Sequence, residues 1–184
     1  MTRIYEEEDY VKALKLKRTL LYIYFGVLAV FLAVNVVFFV MFLQLPYQSN
    51  DEIIRQKNIY YWIICGSDMV FAVFSFIYLG IPFKRARYYF RMLDDIKTGQ
   101  KQKSESTFLQ NDMSVTEVGN VDFHTMVVLE WSDKTQEYMR RNVLVDKEKP
   151  MPKLKNGDII VYTTHANVLL SYGLKSEETV FETE

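Results

Sequence analysis

Between Thr19 and Asn50 the chain carries no charged residue. Its core, Leu20–Leu45, reads LLYIYFGVLAVFLAVNVVFFVMFLQL, 26 residues. At about 1.5 Å of rise per residue, such a helix exceeds the roughly 30 Å hydrocarbon layer of a bilayer. In that layer every backbone N–H and C=O must be paired internally, which only a helix or a closed barrel achieves. A cleaved leader has a core of about 7–15 residues followed by a small-residue site. This run is longer and lacks that site, so it reads as a retained anchor. A second run, Asn58–Phe83, also has 26 residues and only one charge, Asp68. The expectation is an antiparallel transmembrane hairpin over residues 19–83, with spans at about 20–45 and 58–83.

Orientation follows from the basic residues that flank the spans. Lys12, Lys15, Lys17 and Arg18 precede the first; Lys84, Arg85, Arg87 and Arg91 follow the second. The Pro46–Lys57 loop offers only Arg55 and Lys57. Eight against two predicts a multi-pass protein of the cell membrane with both termini cytoplasmic and the loop outside. Tyr60, Tyr61 and Trp62 suit the outer headgroup level, and Tyr22 and Tyr24 the inner one.

Asp68 and Asn35 interrupt the two apolar runs. Asn35 lies 16 residues from Thr19, and Asp68 lies 15 from Phe83, so an antiparallel hairpin brings both to one depth. An Asp at a helix centre costs about 2.5–3.5 kcal/mol on insertion scales. The apolar residues of the second span return about 0.3–0.6 kcal/mol each. Asn35 and Asp68 are therefore expected as an intramembrane polar pair. They act either as a clip between helices or, with Asp68 in an oligomeric pore, as a proton or cation site.

Past the second span, KRARYYFRMLDDIKTGQKQKSES is amphipathic, with Tyr89, Leu93 and Ile96 at helical spacing and Phe90 alongside. Arg87, Arg91 and Asp95 form another face. A juxtamembrane helix to about Lys97, followed by a linker over Thr98–Ser106, accounts for residues 84–106. Lys84, Arg85, Arg87 and Arg91 are candidates for contact with lipid headgroups. Residues 1–18 read as a cytoplasmic N-terminal segment with a short helix.

From Thr107 the period becomes that of strands. TFLQNDMSVTEV shows a break near Asn111–Asp112, and VDFHTMVVLEW is β-branched and aromatic. A turn at Ser132–Thr135 leads to QEYMRRNVLVD, with Tyr138, Val143 and Val145 as inward candidates. After the KEKPMPKLKNG loop, DIIVYTTH and VLLSYGL form a hairpin through Ala166–Asn167. About five antiparallel strands over 107–175 predict a small barrel or sandwich of OB or SH3 type. The fold class is thus α+β, with an acidic tail at 176–184.

The strings YYFRMLDDIKTGQKQKSESTF, LEWSDKTQEYMRRNVLVDKEKP and NGDIIVYTTHANVLLSY resemble a group of uncharacterised small two-span membrane proteins from Gram-positive, clostridia-like bacteria. The plan is also similar, in architecture, to NfeD-type membrane-anchored proteins with an OB-like cytoplasmic barrel. Neither resemblance implies a site residue, and the first implies no activity.

Little in the sequence suggests catalysis. His124 and His165 have no third ligand at metal spacing, and Cys65, the single cysteine, cannot complete a zinc site. Nucleotide-binding and hydrolase motifs are absent. The net charge of −1 argues against nucleic acid. The sequence therefore predicts a non-enzymatic, cofactor-free scaffold. It would be anchored in the bilayer and present its β domain to a protein partner or a second copy; an accessory or pore-forming transporter subunit using Asp68 is the alternative.

Overall fold

The computed structural model describes residues 1–47, 50–132 and 134–175, and the expected acidic tail lies outside them. The chain divides into two units, Leu14–Arg87 and the combination of Met1–Ala13 with Tyr88–Glu184.

The first unit is a helical hairpin drawn from α1 (Glu7–Gln44) and α2 (Asp51–Tyr78). Both helices are long and apolar enough to cross a membrane. α2 begins seven residues before Asn58, so the connection is shorter than the expected Pro46–Lys57 loop. Partial burial recurs on α1 at Leu21, Tyr24, Leu28, Phe31, Asn35, Phe38 and Phe42. On α2 it recurs at Ile53, Lys57, Tyr60, Ile64, Ser67, Phe71, Phe74 and Tyr78. Steps alternating between three and four residues are the signature of a coiled-coil seam. Aromatic rings fill it. Phe31 stacks on Phe71 with centroids 4.1 Å apart, and Tyr24 lies over Tyr78 at 6.1 Å. The Tyr78 hydroxyl donates to the Leu20 carbonyl at 2.9 Å. Beyond Tyr78, Leu79–Phe83 forms a π turn around Pro82. A wider turn there accommodates a residue with no N–H to donate.

The second unit is built on a closed barrel. Its strands are β2 (Gln102–Val118), β3 (Val121–Ser132), β4 (Glu137–Asp146), β5 (Ile159–His165) and β6 (Val168–Leu174). Around the barrel the order is β2-β3-β4-β6-β5, and β5 returns to β2. All pairs are antiparallel except β4 with β6, which touch in parallel at Leu144 and Val168 alone. β2 changes partner at Thr107, from β5 to β3, and a register shift at Phe108–Gln110 lets it turn that corner. The expected break at Asn111–Asp112 is instead a second irregularity in a continuous strand. The expected linker is also corrected, because residues 102–106 already belong to β2 and pair with β5.

Tight turns set the register. Gly119 and Asn120 (φ +60° and +62°) join β2 to β3, and Ala166 and Asn167 (φ +46° and +68°) join β5 to β6. Two successive left-handed residues are what a two-residue hairpin requires. Inside the barrel, Met126, Val128, Val143, Val145, Ile160, Tyr162 and Leu169 are fully buried. Tyr138 is not among them. It stands five residues from Val143, an odd step along a strand, and so points the other way at 67% exposure.

Two segments outside the barrel strands complete this unit. β1 (Thr2–Arg3) runs antiparallel to β6, and the Ile4 N–H bonds to the Leu170 carbonyl at 2.9 Å. Ile4 thereby joins the barrel core. The start of α1 and helix α3 (Lys84–Thr98) supply a second core, in which Ala13, Leu93 and Ile96 meet Val121, Phe123, Val168 and Leu170. Burying Leu93 and Ile96 contributes about 1.5–3 kcal/mol each.

Candidate functional site

Three places in the molecule concentrate polar chemistry. In the hairpin, the Asn35 amide donates to its own turn at Phe31 O (3.1 Å), and its carbonyl accepts from the Ser67 hydroxyl at 3.0 Å. The partner of Asn35 is thus Ser67, one residue short of Asp68. The reason is periodic: Ser67 occupies the seam, and the next residue is rotated by about 100° out of it. Asp68 is exposed and makes no hydrogen bond or ion pair among the described residues. The structure therefore replaces the expected Asn35–Asp68 contact with an Asn35–Ser67 one. Lys84, Arg85, Arg87 and Arg91 are all exposed, and Arg91 lies 4.0 Å from Asp95 one turn on.

The second place is a joint between residues far apart in the chain. Asp146, at the end of β4, is 2% exposed. Its carboxylate accepts from the Tyr89 hydroxyl of α3 at 2.8 Å and from the Glu148 N–H at 3.0 Å. Beside it, Lys149 forms a 2.6 Å ion pair with Asp9 of α1, with side chains only 18% and 16% exposed. The Lys149 ammonium also sits over the Tyr5 ring. Burial, then the Asp146 charge, pushes both the Tyr5 and Tyr89 hydroxyls above their ordinary range. For Asp9, burial works against ionisation. The Glu6 N–H and Lys149 outweigh it and hold the carboxyl below its usual value. These partners lie 57 and 140 residues apart, so no local pattern could announce them. Chemically the joint is a fastener: Asp146 is committed to Tyr89 and Asp9 to Lys149, while the buried Tyr5 hydroxyl has no hydrogen-bond partner among the described residues.

The third place is the far end of the β3–β4 hairpin. Arg141 donates to Glu130 and to the Asn167 side chain, both at 2.8 Å. Burial disfavours its charge, but the Glu130 carboxylate and the Tyr162 hydroxyl together outweigh it and hold the guanidinium above its ordinary value. On the other face, Trp131 and Tyr138 pack edge to face with centroids 5.1 Å apart, 50% and 67% exposed. β4 meets β6 only at Leu144, so from Glu137 to Asn142 its second edge has no strand partner among the described residues.

The histidines do not converge. His165 Nδ1 lies 2.8 Å from the Gln100 carbonyl, and His124 Nδ1 is buried with no hydrogen-bond partner among the described residues. Among the described residues no three His, Cys, Asp or Glu side chains gather as metal ligands. No family model, curated protein or solved structure matches the chain.

Proposed function

We propose that the protein is a membrane-anchored, non-enzymatic interaction protein whose β domain recruits a partner on the cytoplasmic side. The observation that carries this reading is the open edge of β4, Glu137–Asn142, beside the exposed Trp131–Tyr138 pair. An unpaired edge offers backbone donors and acceptors to an incoming strand, and neighbouring aromatic rings supply apolar contact.

Anchoring is supported by what the hairpin leaves uncovered. Val30, Met69, Val70 and Phe76 are 66–84% exposed, and lipid is the solvent in which such a surface is stable. The excess of basic residues beside Thr19 and Phe83 supports cytoplasmic termini. The strand order, with β4 and β6 parallel, agrees with an OB-type barrel rather than an SH3-type one. OB barrels bind oligonucleotides across the outer face of their second and third strands. Here one end of the equivalent face, at Phe123 and Leu144, is packed by α1 and α3, and its other end, at Trp131 and Tyr138, is exposed beside the unpaired edge. With a net charge of −1, that combination favours a protein partner over nucleic acid.

A photoreactive residue at Tyr138 tests the recruitment reading in cells. The expected result is a discrete crosslinked species that Trp131→Ala abolishes; no crosslink at 138 rejects it. In a Cys65→Ser background, an impermeant maleimide on intact cells should label Asn50→Cys and spare Lys153→Cys. Labelling of the latter refutes the orientation.

A further inference from the structure

The hairpin keeps one register along its seam. Phe31 stacks on Phe71, and the Asn35 carbonyl accepts from Ser67; these pairs lie seven and eleven residues inward of Tyr24 and Tyr78 on both helices. Counted outward from the same two rings, Arg18 and Lys84 are each six residues on, Lys17 and Arg85 seven, and Lys15 and Arg87 nine. At about 1.5 Å per residue, cation is set level with cation, about 9 to 14 Å beyond the rings. All six belong to the Leu14–Arg87 unit. Neither helical run places a carboxylate among them: none occurs between Asp9 and Asp51, or between Asp68 and Asp94. Further along each helix the cations are answered, Lys12 by Glu8 at 3.2 Å and Arg91 by Asp95 at 4.0 Å. Lys15, Arg18, Lys84 and Arg87 are instead exposed, with no hydrogen bond or ion pair among the described residues. Like charges held at one level repel unless an anion lies with them.

We infer that Lys15, Arg18, Lys84 and Arg87 form a collar that binds the phosphate of an anionic phospholipid in the adjoining leaflet. Charge complementarity and depth select this occupant. The collar begins where the apolar runs stop, at Thr19 and Phe83, which is the level of the headgroups. Tyr22, 71% exposed just inside it, suits the same boundary. A guanidinium offers a phosphate a planar fork of donors, and an ammonium adds a point charge. The inference rests on the membrane-spanning reading and adds to it the lipid that the anchor selects.

The test is native mass spectrometry of the full chain, released from detergent micelles that hold equal amounts of phosphatidylglycerol and phosphatidylcholine. Each cation near an anionic headgroup is worth about fivefold in association, so the chain should retain phosphatidylglycerol at least about tenfold over phosphatidylcholine. Arg18→Gln with Lys84→Gln should lower that preference by about tenfold or more, as should Lys15→Gln with Arg87→Gln. Arg55→Gln with Lys57→Gln, at the other end of the hairpin, should leave it unchanged. Equal retention of the two lipids overturns the inference. So does a preference that survives all four inner substitutions, or one that falls equally in the Arg55 and Lys57 variant. A preference that emerges only when residues 176–184 are deleted overturns it too, by making the acidic tail the occupant of the collar. Alkaline extraction of phosphatidylcholine vesicles carrying the wild-type chain separates the two levels: if the chain washes off, the membrane reading itself fails.

Discussion

The hairpin and the barrel solve the same problem in opposite ways. The barrel buries its side chains completely, and seven of its core residues are shielded on every side. The hairpin buries none of its α2 residues fully. It holds its helices by one half-covered seam of aromatic rings, and large apolar side chains face outward. In water the second arrangement would leave a surface far beyond what a soluble monomer exposes. Packing density alone therefore does not rank the two regions; on the proposed membrane-spanning reading, each suits a different solvent.

Paired methionines would break that contrast most directly. Met126→Ala, inside the barrel at 0% exposure, should cost about 2–5 kcal/mol in denaturant unfolding. Met69→Ala, 72% exposed on α2, should change stability by less than about 0.5 kcal/mol in detergent. Comparable losses at both sites would mean that the hairpin's outer face is packed after all. Next in size is the fastener. Tyr89→Phe leaves a buried Asp146 oxygen without its donor and should cost about 1–3 kcal/mol in the thermal melt of the barrel unit.

Titration sharpens the comparison further. Tyr5 and Tyr89 have folded values above their ordinary 10.0, so the neutral hydroxyl is favoured in the folded state. Their contribution is full below pH 10.0 and is lost as pH rises past it. Asp9 is held below its ordinary 3.8, so its contribution is present above that pH and is lost as pH falls through the folded value. Barrel stability should therefore be flat between these limits and decline on either side. Lys149→Met should blunt the acid limb, and an unchanged acid limb would remove the Asp9–Lys149 pair from the account. The smallest effect is expected at Asn35→Leu, about 0.6 kcal/mol in hairpin association, because a single interhelical hydrogen bond contributes little in lipid.

Length and apolar character made both helices legible in the sequence, and period-two alternation did the same for the barrel strands. The heptad seam was written there too, at Tyr24, Phe31 and Phe38. It was hidden because a helix that is apolar on every face shows no contrast of hydropathy along its turns. Residues 102–106 read as a linker because Lys103, Ser104 and Glu105 are polar, yet β5 supplies them with a ladder. β1 was beyond sequence reasoning, since two residues have no period. The joint at Asp146 depends on partners far apart in the chain. The depth shared by Asn35 and Asp68 was readable from residue counts. The choice of Ser67 over Asp68 depended on rotation about the helix, which counting along the chain does not give.

Disulfide trapping in native membranes distinguishes a seam built on Ser67 from one built on Asp68. In a Cys65→Ser background, Asn35→Cys with Ser67→Cys should crosslink rapidly within one chain under mild oxidation. Asn35→Cys with Asp68→Cys should crosslink slowly or not at all. Faster trapping of the second pair would put the acid back in the seam and contradict the account.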